Sequence, residues 1–166
     1  EASPSNLQCD RDADRDLLFD VDVNGTASVI RGCLEARVNQ LVVTSSGAAY
    51  GYHADSAPWL DETHALRGNR EFAYSDHKRQ VERMLARQRN EHPELGQLVL
   101  RPGTILGATT RNQITALFDG PVVMGLSGAS TPFVLIWDRD VVECIVKGVL
   151  EERTGIYNLA GDGTLT

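Results

Sequence analysis

Leu41-Val-Val-Thr-Ser-Ser-Gly-Ala-Ala-Tyr-Gly51 joins a short apolar run to a turn of small residues. Gln40 to Thr44 shows no polar alternation and carries adjacent β-branched valines. That is the pattern of a strand buried on both faces of a parallel sheet. Open α/β sheets bind ligands outside the carboxyl ends of such strands. The hydroxyls of Thr44, Ser45 and Ser46 therefore stand where a ligand is expected, and a serine there can hydrogen-bond a substrate oxygen. A plain Ser/Thr turn after a strand would look the same.

Upstream, apolar residues recur at helical spacing from about Asp14 to Ala36, through Leu17, Leu18, Val21, Val29 and Cys33. Gly25 and Gly32 interrupt this helix. Each lowers helix propensity by about 1 kcal/mol relative to alanine, which points to another backbone packing closely there. Downstream, a long polar connection from about Tyr52 to Arg70 leads into a second helix, about Ala73 to Asn90, with Pro93 just beyond its end. Gln97 to Leu100 reads as the next buried strand, closed by Arg101-Pro102-Gly103. Helix, strand, helix, strand with short apolar strands is the order of an α/β domain with a parallel sheet.

After Gly107 the texture loosens. A short helix near Asn112 to Phe118, a strand at Phe133 to Ile136, a helix from Asp138 to Leu150 and a strand at Ile156 to Leu159 are expected. Residues 1–107 thus read as part of the sheet domain, and 108–166 as a mixed segment that serves a substrate region and returns to the sheet.

The 166 residues suffice for one domain with its own core. A formal net charge of -7 argues against nucleic acid or an anionic membrane surface as partner and leaves small molecules and proteins. The three cysteines are scattered and form no C-x-x-C pair, which argues against disulfide scaffolds and zinc ribbons. No apolar run approaches the roughly 18 to 20 residues of a membrane span. The acidic start is no signal peptide, so a cytoplasmic setting is expected. No two of His53, His64, His77 and His92 are four apart, and no metal site is expected. Asp138 and Asp140 read as helix-starting acids, and Trp59 and Trp137 as packing residues.

Tyr74-Ser-Asp-His-Lys78 has the Y-x-x-x-K spacing at the start of a helix, which puts both side chains on one face. An ammonium beside a phenol stabilises the phenolate, and such a phenol can exchange a proton with a substrate hydroxyl near neutral pH. Taken alone the spacing is weak, since an exposed tyrosine and a solvated lysine would share it.

Joined to the strand and turn, however, it resembles the extended short-chain dehydrogenases/reductases of the NAD-dependent epimerase/dehydratase type. In that family the catalytic serine lies four residues before the tyrosine of a Tyr-Gly pair, which selects Ser46 by counting back from Tyr50. Asn24-Gly-Thr26, Arg101-Pro-Gly-Thr-Ile-Leu-Gly107, the Trp-Asp-Arg-Asp-Val run ending at Val141 and Tyr157-Asn-Leu-Ala-Gly161 are similar to further family segments, in the family's order. The resemblance implies a partial Rossmann-like, doubly wound parallel sheet with part of a smaller C-terminal substrate-binding region. It implies a catalytic triad of Ser46, Tyr74 and Lys78, with Thr44, Tyr74, Lys78, Pro102 and Ile105 near NAD or NADP. Arg111 is a candidate for a substrate phosphate or carboxylate. The implied reaction is oxidoreduction, epimerisation or dehydration at a secondary alcohol or ketone, with sugar nucleotides among the candidates. The implied assembly is a homodimer through the two long helices.

Two features depart from the family pattern. The glycine-rich turn that cradles the dinucleotide pyrophosphate is missing, so the sequence reads as a fragment of a longer protein. Asp22 stands where the family usually has an asparagine that supports the site, and Asn24 reads as a surface residue. Two alternatives accompany the enzyme reading: a non-catalytic dinucleotide sensor or scaffold of the same fold, and an inactive fragment.

Overall fold

The computed structural model describes residues 14–110 and 132–163. Helical structure runs through residues 14–35 but changes pitch on the way. Asp20–Asn24 is a π-helix, closed where the Gly25 amide donates to the Asp20 carbonyl, and the α-helix α1 follows over Gly25–Glu35. Its end is sealed by amides of Arg37 and Val38 donating to the carbonyls of Leu34 and Cys33. Arg37 takes the left-handed backbone (φ 54°) that this closure requires.

Strand β1 (Gln40–Thr44) leads into a 3-10 turn, Gly47–Tyr50. Then come α2 (Ala73–Glu91), β2 (Gly96–Pro102), β3 (Thr104–Leu106), β4 (Leu135–Trp137), α3 (Asp138–Leu150) and β5 (Gly155–Leu159). β1, β2 and β5 form a three-stranded sheet in the order β1-β2-β5, parallel throughout, with Thr44 opposite Leu100 and Pro102 opposite Leu159. β3 and β4 make a separate parallel pair.

Helices cover both faces of the larger sheet because residues in β2 point alternately to either side. Val99 joins Val23, Ile30, Val81 and Leu85 in the core against α1 and α2. Leu98 points to the other face, where a Cβ on Gly148 of α3 would collide with its Cδ2. Each fully buried side chain of this size stabilises the fold by about 1.5–3 kcal/mol. The start of β1 is tied to α3 and to the turn that follows it, the Gln40 side-chain amide donating to the carbonyls of Gly148 and Arg153. The result is a partial Rossmann-like α/β fold.

Gly103 hands the chain from one sheet to the other. Its amide donates to Leu159, the next amide donates to Val134, and a Cβ on Gly103 would lie 2.6 Å from the Val134 carbonyl oxygen.

Several expectations change. Gly32 has nothing within 4 Å of where its Cβ would be, so no close backbone explains it. Gly25 meets only the helix's own Asp20 carbonyl, at 3.5 Å. The strand expected at Phe133 to Ile136 is Leu135–Trp137, with Phe133 in an isolated bridge. Trp59 is 73% exposed and does not pack into the core. The expected helix near Asn112 to Phe118, and Arg111, lie outside the described residues.

Candidate functional site

The carboxyl end of β1 and the first turns of α2 are stapled together by hydrogen bonds. Ser46 has extended backbone, and its hydroxyl accepts from the Ala48 amide, which starts the 3-10 turn. The Ala48 carbonyl in turn accepts from the Ser75 hydroxyl of α2 at 2.6 Å. Gly47 backs onto the Pro102 carbonyl at the end of β2, a Cβ there lying 3.6 Å away.

This geometry brings Thr44, Ser46, Tyr74, Lys78 and Pro102 to one end of the sheet. Lys78 Nζ donates to the Thr44 carbonyl at 3.3 Å and lies 5.5 Å from the centre of the Tyr74 ring. Tyr74 is 44% exposed, and among the described residues its hydroxyl makes no hydrogen bond. Ile105 lies on the smaller sheet, half-buried opposite Ile136.

A row of rings begins at Tyr74. Phe72 lies 6.1 Å from Tyr74 and Tyr52 the same 6.1 Å from Phe72, centre to centre. The buried Asn69 side chain fixes this row. It accepts from the Tyr52 amide and donates to the Tyr52 carbonyl, while the Asn69 amide donates to Ser75 Oγ. Desolvation, and then the charge of an ionised Tyr74, raise the Tyr52 phenol above its ordinary 10.0.

Directly beneath lies a polar cluster that motif reading did not find. Glu82 and Arg101 are both buried and form a forked ion pair, Arg101 Nε and Nη2 donating to the carboxylate at 2.5 to 2.9 Å. Glu82 also accepts from Ser45 Oγ at 2.6 Å. Arg101 Nη1 donates to the Tyr50 hydroxyl at 2.7 Å, and that hydroxyl shares its own proton between the Asp61 carbonyl and Asn158 Oδ1. Burial opposes the guanidinium charge, yet the Glu82 bond outweighs it and holds the Arg101 pKa above the ordinary value. One signal in the sequence pointed here: an acid, Glu82, on the same helical stripe as Val81 and Leu85.

Asp22, in the π-helix, accepts from or shares a proton with His77 Nδ1 at 3.0 Å. His77 is buried on α2, edge-on to Phe19, and not at the Tyr74–Lys78 surface pair. Asn24 is exposed and donates to Asp20. Asp138 begins α3 and accepts from the Arg139 amide. Among the described residues no group of three or more His, Cys, Asp or Glu is placed to hold a metal ion, and no helix is long and apolar enough to cross a membrane.

The sequence model of the 3-beta hydroxysteroid dehydrogenase/isomerase family matches residues 5–120. No curated protein matches the chain. Among solved structures, it is similar to a dTDP-glucose 4,6-dehydratase from Bacillus anthracis in complex with NAD, with 18% identity, a TM-score of 0.73, and coverage of 89% of this chain and 49% of that one. A UDP-N-acetylglucosamine 4-epimerase from Methanobrevibacter ruminantium, in complex with UDP-N-acetylmuramic acid, gives 15% identity, a TM-score of 0.71, and coverage of 89% and 49%. A Thermus thermophilus UDP-glucose 4-epimerase in complex with NAD gives 23%, 0.70, and coverage of 89% and 51%. At these identities the likeness is one of fold, and the chain spans about half the length of each structure.

Proposed function

The chain belongs to the 3-beta hydroxysteroid dehydrogenase/isomerase family, within the extended short-chain dehydrogenases/reductases, and we propose that it carries the catalytic end of an NAD(P)-dependent enzyme acting on a secondary alcohol or ketone. The observation that carries the reading is the placing of Tyr74 and Lys78 against the end of β1, with Lys78 Nζ at the Thr44 carbonyl and Ser46 in the next turn.

In this reading Tyr74 Oη, left without a protein partner among the described residues, takes the proton from the substrate hydroxyl. Lys78 holds its positive charge 5.5 Å from the centre of the Tyr74 ring and has N–H donors to spare for a ribose hydroxyl. Ser46 Oγ donates to the substrate oxygen and orients it. Thr44, Pro102 and Ile105 line the nicotinamide side. These donors and apolar edges suit NAD or NADP, which when bound supplies the hydride acceptor. Arg111 is proposed to meet an acidic group of the substrate. Sugar nucleotides remain a candidate class on the strength of the fold likeness.

The test is nicotinamide absorbance, followed with NAD(H) and NADP(H) against a panel of nucleotide sugars and apolar cyclic alcohols and ketones, using the natural protein at full length. A substrate-dependent change is expected with at least one pair. Cofactor binding without any turnover across the panel favours the sensor reading instead.

A homodimer is proposed through α1 and α2. The helical stretch 14–35 exposes Leu17, Leu18, Val21 and Val29, and two open hollows of about 250 and 490 Å³ between α1 and α2 share Ala27, Met84 and Arg87. Sedimentation at micromolar concentration is expected to show two copies, and a monomer would refute it. Free Cys33 and Cys144 suit the cytoplasmic setting proposed for it.

A further inference from the structure

We propose that Glu82, Arg101 and Tyr50 are positioning residues that hold the Ser46 turn in register with the helix bearing Tyr74 and Lys78. The inference rests on the triad reading and goes beyond it, because none of the three is placed to touch substrate or cofactor.

Three successive turns of α2 grip the end of β1 and its turn. Ser75 donates to the Ala48 carbonyl, Lys78 to the Thr44 carbonyl, and Glu82 accepts from Ser45 Oγ. Ser46 lies between these grips, with a bonded residue on one side and a bonded turn on the other. Of the three, Glu82 is the one that is itself locked. Arg101 binds it through two nitrogens, and a planar fork meeting a carboxylate fixes direction as well as distance.

Arg101 then reaches past Glu82 to the far end of the same turn. Its Nη1 donates to the Tyr50 hydroxyl, and the guanidinium lies 5.0 Å over the Tyr50 ring. Tyr50 Oη is further tied to Asn158 of β5, whose amide bonds Glu62 Oε1 at 2.6 Å. The cluster therefore joins β1, β2, β5, α2 and the 51–70 connection at the level of Ser46.

Stability is a poor reason for such a cluster. Burying an ion pair desolvates two charges, and a well-packed apolar pair of the same volume is often as stable or more so. What the charged fork supplies and an apolar pair does not is orientation. In a site whose groups must meet to within a fraction of an ångström, orientation is worth rate: a misplacement of about 1 Å can cost about 100-fold.

Ser45→Ala tests this with little risk to folding, since Glu82 keeps its bonds to Arg101. Tyr50→Phe is the second variant, cutting the tie at the other end of the turn. In the full-length protein each is expected to lower kcat by about 10- to 100-fold, with KM for the cofactor unchanged. Ser45→Thr, which keeps the hydroxyl, is expected to restore kcat. A purely structural role would change the melting temperature or the yield of active sites and leave kcat per active site at the wild-type value. Wild-type kcat per active site in both variants would overturn the proposal. Tyr74→Phe, run beside them, separates the two readings: if it is inactive while Ser45→Ala and Tyr50→Phe behave as wild type, only the positioning role falls. If Tyr74→Phe turns over normally, the triad reading falls and the positioning role falls with it.

Discussion

Two polar clusters share the carboxyl end of the sheet and are built in opposite ways. Glu82 and Arg101 are both buried and met by several short bonds. Around Tyr74 and Lys78 the side chains are open, and Lys78 makes a single 3.3 Å bond to a backbone carbonyl. The cluster with the precise geometry is the one with no reacting partner, and the one proposed to do chemistry is left with unused donors. A site that must bind and release ligands needs free groups, and free groups are held in place only by a rigid layer beneath them.

The largest expected effect breaks that contrast directly. Glu82→Ala leaves the Arg101 guanidinium buried without its carboxylate, and a loss of about 3–5 kcal/mol in a denaturant titration is expected. Lys78→Ala, on the open cluster, is expected to shift the same midpoint by no more than about 0.5 kcal/mol. Equal losses would mean that the two clusters are not different in kind.

Gly103→Ala probes the joint between the larger sheet and the β3–β4 pair. The new methyl meets the Val134 carbonyl oxygen, a backbone atom that cannot swing away. A destabilisation of about 1–3 kcal/mol is expected by thermal melting. Gly32→Ala runs the other way. With space around it and an exposed helical backbone, it is expected to stabilise by about 0.5–1 kcal/mol.

The smallest effect sits on the connection beside Tyr50. Hydrogen bonds from Thr63, and then His64, lower the Asp61 carboxyl from 3.8 to about 2. Its folded pKa is depressed, so its contribution is complete above the unfolded value and fades as pH falls from 3.8 through about 2. A carboxyl NMR titration is expected to show this midpoint, and Thr63→Ala to bring it back toward 3.8. An unchanged midpoint in Thr63→Ala would remove the hydroxyl as its cause.

What was legible in the sequence was whatever repeats or is set by local spacing. The valines of β1, the turns of α2 and the helix start at Asp138 carry their own signals, and the parallel sheet follows from their order. Tyr50 served only as a ruler for locating Ser46, because its hydroxyl is bonded to residues on β2, β5 and the 51–70 connection that no local pattern links to it. Glu82 stands out only as an acid on an apolar helical stripe, with nothing to name its partner, and Arg101 looks like part of a closing Arg-Pro-Gly turn. Only their meeting across the sheet shows why a charge is tolerated in a buried strand. The π-helix at Asp20–Asn24 was hidden for a different reason. One wide turn shifts the apolar stripe too little to disturb a helical reading, so the packing of Asp22 against His77 came from the fold alone. At Gly32 propensity misled, since a costly residue there has no packing reason.

The most direct test of the central claim is Tyr74→Phe in the natural protein at full length, with hydride transfer and NAD(P)H binding measured on the same sample. The account predicts a fall in hydride transfer of about 10²–10⁴-fold with cofactor affinity retained. Wild-type hydride transfer in the variant would contradict it.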